Sequence, residues 1–375
     1  MTIQIDSWTT GLRGDIVQRP LVEALAADGR VAQRLVFSSE SQRKQDLIDL
    51  GLPYATTPND RRIRNALSTL LEIRRARARL HQWYRQAQPR IVHIVMGSPW
   101  DHLFVDIPRR HGSQILLTVH DSQRHIGEES WAMDQLEGRL MRVADHIAVL
   151  SSYAGEVLRA RLGDARPIHV VVPGLVMDST PPGPPKPPPS GRPMRFLFFG
   201  RIHAYKGLDL LLDAWRTVKR DTGLPIRLTV AGSGDISPYR SRLEECPDVE
   251  LVHGWISDER MAQLFDEHDV NVLPYREGSL SATALAGMWA GMPAIATPIG
   301  GFAEQIKGGV NAVVSRDVSA DALVPCIVAL ATDPELYRRL AQGAHDHALT
   351  LSAPAVADNW VRLYRRISEG GPPPR

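Results

Sequence analysis

A segment rich in proline and glycine divides the chain into two halves. Residues 178–193 read DSTPPGPPKPPPSGRP, a composition that favours extended polyproline geometry and cannot pack a hydrophobic core. The 375 residues are also too many for one ordinary core, because most domains hold about 100 to 150 residues. We therefore expect this segment to be a linker between two domains.

Strand and helix signals alternate on both sides of this linker. Short apolar runs, such as residues 91–95 before it and 195–199 after it, predict buried strands, and stretches with helical spacing lie between such runs. Strands that alternate with helices form parallel sheets covered on both faces. The sequence therefore predicts an α/β protein with two doubly wound, Rossmann-like domains, 1–177 and 194–350. Ligands of such sheets bind outside the carboxyl ends of the strands, so we expect the domains to face each other across a cleft.

Composition is that of an ordinary soluble protein, with 43% hydrophobic and 23% charged residues. No run reaches the roughly 18 apolar residues of a transmembrane helix, and the N-terminus enters a predicted strand, so we expect no signal peptide. The two cysteines, Cys246 and Cys326, are too few and too distant for a disulfide framework or a zinc site, which fits a reducing cytoplasm. A net charge of +2 argues against a protein built chiefly to bind nucleic acid.

A candidate site follows the first predicted strand of the second half. Residues 194–219 read MRFLFFGRIHAYKGLDLLLDAWRTVK, in which an apolar run ends at Gly200 and a loop with Arg201 and Lys206 leads into a helix. Loop amides and a helix N-terminus attract anions, and the two cations neutralise phosphate oxygens. This pattern predicts a phosphate site, although two cations also suit a solvated surface loop. It is neither a Walker loop nor a GxGxxG fingerprint.

Three later loops of this half also follow predicted strands and carry small or polar residues. They contain the sequences GSGD, HGWIS and YREGSLS. Small residues at strand ends expose backbone amides to a ligand above the sheet. Glu277 in the third loop needs a partner, such as a sugar hydroxyl or a cation, unless it is a solvated carboxylate. The other candidate binding residues of these loops are Gly232, Gly254, Trp255, Ile256, Gly278, Ser279, Leu280 and Ser281.

Five segments in this order resemble the donor-binding domain of retaining GT-B glycosyltransferases of family 4, relatives of bacterial mannosyl- and glucosyltransferases. The segments are FGRIHAYKGLDLLLDAW, AGSGD, HGWISDE, PYREGS with AGMPAIAT, and GGFAE. The resemblance covers nearly the whole chain. It implies transfer of a hexose from a UDP-, GDP- or ADP-sugar to an acceptor hydroxyl, with retention at the anomeric carbon. It implies no metal and no other cofactor.

The resemblance also implies roles for single residues of the second half. Arg201 and Lys206 would stabilise the departing diphosphate. Glu277 and the amides near Gly278 and Ser279 would hold the sugar hydroxyls. The segment 254–256 would face the base.

In the first half the resemblance rests on weaker motifs. Residues 9–14 read TTGLRG and resemble the glycine-rich loop of the family, in which Gly14 approaches the donor phosphate or the acceptor. His120 ends a predicted strand, as does the family's histidine near the transferred sugar. The alternative to this role near the sugar is that His120 is a structural histidine whose ring is hydrogen-bonded within the protein. His125 and Glu128 are candidates for contact with an acceptor.

One position departs from the family pattern. Family members commonly carry a second glutamate that binds ribose eight residues after the first, and this chain has Ala286 there, with Glu277 displaced by one residue. Loss of a bidentate ribose contact would weaken donor binding by about 1 to 3 kcal/mol, unless Ser281, Thr283 or a backbone bulge substitutes. A non-catalytic nucleotide-sugar-binding homologue that acts as a partner subunit is therefore the alternative function. We exclude the interpretation as an NAD-dependent dehydrogenase, because no GxGxxG sequence follows the first predicted strand of either half.

The segment 61–90 carries nine arginines and one glutamate among leucines and aromatic residues. A basic amphipathic helix of this kind suits an anionic membrane surface, where lipid-linked acceptors lie. A solvated helix whose apolar stripe enters the core explains the same pattern. We expect a cytoplasmic protein, with peripheral binding to the inner face of the plasma membrane, that acts on a saccharide or lipid-linked acceptor. The family's habit indicates bacterial polysaccharide, exopolysaccharide or glycoconjugate synthesis.

The C-terminal residues 351–375 are predicted to form a helix. In the family such a helix crosses back to the first domain. Here Trp360, Leu363 and Tyr364 would be its packing residues.

Overall fold

The computed structural model describes residues 2–10, 15–41, 44–58, 66–122, 131–163, 166–172, 181–246 and 248–370. These residues form two compact units. The first unit holds the described residues up to 172 together with 351–370, and the second holds those from 181 to 350. The described part of the C-terminal segment therefore belongs to the first unit.

The first unit is built on a parallel sheet, which has seven strands among the described residues in the order β3-β2-β1-β4-β5-β6-β7. Its elements in chain order are β1 (Ile3–Thr9), α1 (Asp15–Asp28), β2 (Val31–Ser38), α2 (Lys44–Ile48), β3 (Tyr54–Thr57), α3 (Ala66–Gln86), β4 (Ile91–Ile94), α4 (Asp106–Arg110), β5 (Gln114–Val119), α5 (Trp131–Val143), β6 (His146–Val149), α6 (Ser152–Leu162) and β7 (Ile168–Val170).

The second unit holds a parallel sheet whose six described strands run in the order β10-β9-β8-β11-β12-β13. Its elements are β8 (Met194–Phe199), α7 (Leu208–Thr222), β9 (Ile226–Gly232), α8 (Arg240–Glu244), β10 (Val249–His253), α9 (Asp258–Glu267), β11 (Val270–Leu273), α10 (Ala282–Trp289), β12 (Ala294–Ala296), β13 (Ala312–Val314), α11 (Ala320–Thr332) and α12 (Pro334–Thr350). The last helix of the chain, α13 (Ala353–Ser368), belongs to the first unit.

Both sheets have the doubly wound topology that the sequence predicts. Each chain half adds strands outward on one side of its first strand and then starts again on the other side. The direction reverses between β1 and β4 in the first sheet and between β8 and β11 in the second. Ligands of doubly wound sheets bind at such a switch point, outside the carboxyl ends of the strands.

Helix α7 shows how the apolar pattern forms the core of the second unit. Its apolar positions at helical spacing are all buried, and they are Leu208, Leu211, Leu212, Trp215 and Val218. The indole of Trp215 packs edge-on against Phe196 of β8, with ring centroids 5.5 Å apart. Burial of each large apolar side chain contributes about 1.5 to 3 kcal/mol, so this face fixes α7 on the sheet.

The described part of the proline-rich segment, residues 181–193, contains no helix or strand and is bonded to the second unit. The amide of Lys186 donates to the carbonyl of Gly291 at 3.0 Å. Its ammonium donates to the carbonyls of Phe265, Asp266 and His268 at 2.5, 2.7 and 2.7 Å. These carbonyls end α9 and have no intrahelical donor, which is why a lysine binds there. From Lys186 onward the segment is thus attached to one unit.

Helix α13 packs on the first unit through buried aromatic residues. Trp360, Leu363 and Tyr364 are all buried. The hydroxyl of Tyr364 lies 2.8 Å from Nδ1 of His93 in β4, and the ring of Trp360 lies 4.6 Å from the imidazole. The three residues expected to pack therefore do so against the first sheet.

Candidate anion-binding site of the second unit

The loops that follow β8 and β11 lie side by side above the second sheet. The amide of Arg276 donates to the carbonyl of Tyr205 at 2.7 Å. The guanidinium of Arg276 forms a bidentate ion pair with Asp209 at the start of α7, with distances of 2.9 and 2.7 Å. Neither charge of this pair has a role that is predicted from the sequence. It fastens the Lys206 loop to the Glu277 loop at the switch point.

Two glycines allow the close approach of these loops. Gly207 has a φ of +69°, and a β-carbon added there would lie 1.9 Å from the carbonyl oxygen of Pro274. Gly232 has a φ of +150°, and a β-carbon there would lie 1.8 Å from the carbonyl oxygen of Gly200. Any other residue would push the loops apart. Gly232, predicted as a ligand contact, thus has a packing role against Gly200.

Lys206 provides a buried positive charge between these loops. The residue is 7% exposed. A β-carbon added to Gly200 would lie 2.6 Å from its Nζ and 3.4 Å from Oγ1 of Thr283. No carboxylate of a described residue lies within the ion-pair distance of 4.0 Å from Lys206. A buried ammonium without a counter-charge is costly, so the place favours an anion.

The N-terminus of α10 adds a second positive group. Ser281 caps the helix, since its hydroxyl accepts from the amide of Ala284 at 3.1 Å. The amides of Ala282 and Thr283, at the first two helical positions, have no acceptor within the helix. The helix dipole contributes roughly half a positive charge there. Because Thr283 lies beside Gly200, this end of α10 and the ammonium of Lys206 converge.

Gln305 holds Ser281 in place from a distant part of the chain. The amide of Ser281 donates to Oε1 of Gln305 at 2.8 Å, and Nε2 of Gln305 donates to the carbonyl of Ser281 at 3.1 Å. The amide and the hydroxyl of Ser281 are thus both bonded within the protein. Within the protein, Ser281 shapes the loop and caps the helix, and its predicted contact with a ligand stays a prediction. Thr283 lies close to Gly200 and Lys206.

The remaining predicted residues of this unit differ in exposure. Arg201 and Trp255 are exposed, the latter at 65%, and Ser279 is buried. Glu277, Gly278 and Leu280 are half-buried in the loop after β11, and Gly254 and Ile256 are half-buried in the loop after β10.

Ala286 lies in an apolar cluster on α10. Its neighbours in this cluster include Phe199 and Ile256, which are partly buried, and Phe265, which is buried. The alanine that stands in place of the family's second glutamate therefore packs among apolar side chains.

In the first unit the structure places His120 directly after β5. Its Nε2–H donates to the carbonyl of Val95 at 2.8 Å, and burial lowers its pKa. The ring is therefore neutral at pH 7, with Nδ1 available as an acceptor. Gly14, His125 and Glu128 lie outside the described residues.

The structure shows a buried acid, Asp101, at the switch point between β1 and β4, which the sequence analysis does not identify. The hydroxyl of Thr10, after β1, donates to Asp101, in the short helix after β4, at 2.6 Å. The amide of Ser98 donates to the other carboxylate oxygen at 2.6 Å. Ser98 and Asp101 form a capping box, a pattern that the spacing S-P-W-D would have predicted.

The described residues of the basic segment 61–90 lie partly in the core and partly in solvent. Ala76, Leu80 and Tyr84 of α3 are buried in the core of the first unit. Arginines and two leucines occupy the exposed side, namely Leu70, Leu71, Arg74, Arg75, Arg79 and Arg85. Each of the two leucines is 49% exposed. No described helix is long and apolar enough to span a membrane.

Comparison with known families agrees with this architecture. Residues 193–333 match the model described as Glycosyl transferases group 1, and residues 16–174 match the Glycosyl transferase 4-like domain. The chain is thus a glycosyltransferase with a 4-like domain followed by a group 1 domain. The match to the first model includes both loops of the anion site, and the match to the second includes His120.

Related sequences carry the name D-inositol 3-phosphate glycosyltransferase. The one from Nocardiopsis dassonvillei is 26% identical to this glycosyltransferase over 75% of this chain and 72% of its own. The one from Streptomyces griseus is 28% identical over 61% of this chain and 55% of its own.

Solved structures share the fold of this glycosyltransferase. HepE from Anabaena, in complex with UDP-glucose, has a TM-score of 0.72 at 14% identity and covers 98% of this chain and 100% of its own. A glycosyltransferase from Rickettsia africae has a TM-score of 0.72 at 16% identity and covers 99% of this chain and 100% of its own. The GT-B fold predicted from the sequence is therefore confirmed.

Proposed function

We propose that this glycosyltransferase moves a hexose from a nucleoside-diphosphate sugar to an acceptor hydroxyl, with retention at the anomeric carbon and without a metal ion. One observation carries the proposal. The buried ammonium of Lys206, with no carboxylate partner among the described side chains, lies beside the N-terminus of α10. Breaking the bond to the sugar leaves negative charge on the diphosphate, and fixed positive groups stabilise that charge.

The other predicted residues have roles in this proposal that follow from their chemistry. Arg201 adds an exposed cation to the same loop as Lys206. Glu277 accepts hydrogen bonds from sugar hydroxyls, and Nδ1 of neutral His120 accepts one more. The leaving phosphate takes the proton of the acceptor hydroxyl, so no separate general base is required.

Two comparisons support a nucleotide-sugar donor. HepE binds UDP and UDP-glucose, which makes uridine the first base to test. The curated relatives act on D-inositol 3-phosphate by name, so this compound belongs in the acceptor panel. We propose a role in bacterial polysaccharide or glycoconjugate synthesis, with a saccharide or lipid-linked acceptor.

The exposed face of α3 supports peripheral binding to an anionic membrane. Its arginines, including Arg74, Arg75 and Arg79, would each gain about 1 kcal/mol near such a surface. Leu70 and Leu71 at the start of the same face would enter the interface. We therefore propose peripheral binding at the inner face of the plasma membrane, where lipid-linked acceptors lie.

The alternative is a homologue that binds a nucleotide sugar without turnover and serves as a partner subunit. Ala286 favours it, because an alanine cannot make the bidentate ribose contact that the second glutamate makes in the family. Donor binding without transfer or hydrolysis would support this alternative.

A thermal-shift panel of UDP-, GDP- and ADP-sugars in EDTA tests the proposal, with Lys206→Met as the matched variant. A ligand that binds only the folded state raises the melting temperature by mass action. We expect one nucleotide to stabilise the parent and to have a much smaller effect on the variant. The selected donor then enters a transfer assay, in which NMR of the product reads the anomeric configuration. Absence of any shift in the parent would contradict the proposal.

A further inference from the structure

Tyr275 lies beneath the ammonium of Lys206 in the loop after β11. The Nζ atom of Lys206 is 4.9 Å from the centroid of the Tyr275 ring. Tyr275 is 3% exposed, and its ring packs against Tyr205 and Phe302, with centroid distances of 6.0 and 5.3 Å. The ring is therefore fixed by its neighbours and presents one face to the ammonium.

The hydroxyl of Tyr275 is also fixed. The hydroxyl of Ser281 donates to it at 3.4 Å, and Ser281 is held on its amide and its carbonyl by Gln305. The hydroxyl of Thr297 donates to the Tyr275 carbonyl. A chain of contacts thus runs from Gln305 through Ser281 and Tyr275 to Lys206.

The electrostatics of the phenol agree with this geometry. Burial alone raises the pKa of a tyrosine. The positive charge of Lys206 and the nearby polar groups of Ser281 and Thr283 oppose this effect of burial, and the pKa of Tyr275 is lower than its ordinary value. Together with the 4.9 Å separation, this direction shows that the ammonium and the Tyr275 side chain attract each other.

A neutral partner has a consequence that a carboxylate would not have. A carboxylate beside Lys206 would cancel its charge and compete with an incoming phosphate. A neutral phenol attracts the ammonium of the flexible lysine through its ring and its oxygen dipole and leaves the full charge of the lysine available. We infer that Tyr275 is a positioning residue that holds the Lys206 ammonium beside Gly200 and the N-terminus of α10 without neutralising it. This inference rests on the proposed function, since it assumes that the ammonium receives a diphosphate.

A double-mutant cycle on the full-length protein tests the inference, with inorganic pyrophosphate as the calorimetric probe. Tyr275→Phe keeps the ring and removes the hydroxyl. We expect it to weaken pyrophosphate binding about threefold to tenfold, because the phenol oxygen no longer attracts the ammonium towards its place beside Gly200. In the Lys206→Met background the same substitution is expected to change the affinity less than twofold, because Tyr275 acts through Lys206.

Tyr337→Phe is the matched control. Tyr337 is also fully buried in the second unit, and its hydroxyl donates to the carbonyl of Asp269 at 2.9 Å. The control is expected to lower the melting temperature as Tyr275→Phe does and to leave pyrophosphate affinity at the parent value. A purely structural role of Tyr275 would make the two variants equal in both measurements.

Three other results would overturn the inference, and they differ in what else they overturn. If Lys206→Met weakens binding and Tyr275→Phe does not, only the positioning role is wrong. If Tyr275→Phe weakens binding equally with and without Lys206, Tyr275 acts independently of the ammonium. If the parent does not bind pyrophosphate at all, the proposed diphosphate site is wrong and the positioning role falls with it.

Discussion

The hydroxyl of Thr10 donates a hydrogen bond of 2.6 Å to the carboxyl group of Asp101, across the switch point of the first sheet. The two residues are 91 positions apart and lie in the segments that follow the neighbouring strands β1 and β4. Asp101 is fully buried. Burial raises its pKa to about 7, although the hydrogen bonds from Thr10 and the Ser98 amide oppose this rise.

Asp101→Asn is expected to change how stability depends on pH. The folded carboxyl group binds a proton more tightly than the unfolded one. The contribution of Asp101 to the free energy of unfolding is therefore fully present below the unfolded pKa of about 3.9. It is lost as the pH rises towards 7. The free energy of unfolding of the parent minus that of the variant should fall between pH 4 and pH 7. Urea unfolding across this range measures the difference, and parallel curves would contradict the assignment.

His93 is expected to give the opposite dependence. Burial lowers its pKa to about 3, with a smaller effect from the charge of His120. The imidazole resists protonation in the folded protein. Its contribution to the free energy of unfolding is therefore present above pH 6.5 and is lost as the pH falls towards 3. At pH 5 this loss amounts to about 2 kcal/mol. His93→Gln removes the titrating group, and the parent should lose more stability than the variant between pH 7 and pH 5. An equal loss would argue against a neutral buried His93.

Lys186→Met is expected to loosen the proline-rich segment from the second unit. The variant loses three hydrogen bonds to the carbonyls at the end of α9, which should cost about 1.5 to 3 kcal/mol in unfolding free energy. Lys219→Met is the control, because Lys219 is also half-buried and forms an ion pair with Asp248 at 3.1 Å in place of contacts with helix carbonyls. Its expected cost is at most about 1 kcal/mol. Equal costs would mean that the carbonyl contacts contribute little.

Gly207→Ala is expected to separate the two loops of the anion site. The added methyl group would meet the Pro274 carbonyl oxygen at 1.9 Å. Gly223→Ala is the control, since its φ of +63° is similar and no atom lies within 4 Å of the added carbon. The control should cost about 1 to 2 kcal/mol of stability and leave nucleotide affinity unchanged. Gly207→Ala should cost more and also weaken nucleotide binding; equal behaviour of the two variants would show that the loops do not need this contact.

The fold could be predicted because its signals are local. The apolar run of β8 and the helical spacing of α7 each fall within about twenty residues, and both elements form as expected. The candidate residues were predicted at strand ends, and the structure places Lys206 and Glu277 in loops after the neighbouring strands β8 and β11. Parallel topology alone brings such loops together.

The contacts that shape the site could not be predicted in the same way. Arg276 and Asp209 are 67 residues apart, and Gln305 is 24 residues from Ser281. No local pattern distinguishes these polar residues from solvated ones. The attachment of Lys186 to α9 likewise depends on carbonyls about 80 residues away. In each case a long-range hydrogen bond decides the role.

The most direct test of the account is calorimetric titration of UDP, GDP and ADP in EDTA into the parent and into Lys206→Met. We expect one nucleoside diphosphate to bind the parent without a divalent metal and to bind the variant at least about tenfold more weakly, since a charged hydrogen bond is worth about 1.5 to 3 kcal/mol. Equal affinity of both proteins, or binding that requires a divalent metal, would contradict the claim that Lys206 and the N-terminus of α10 hold the diphosphate.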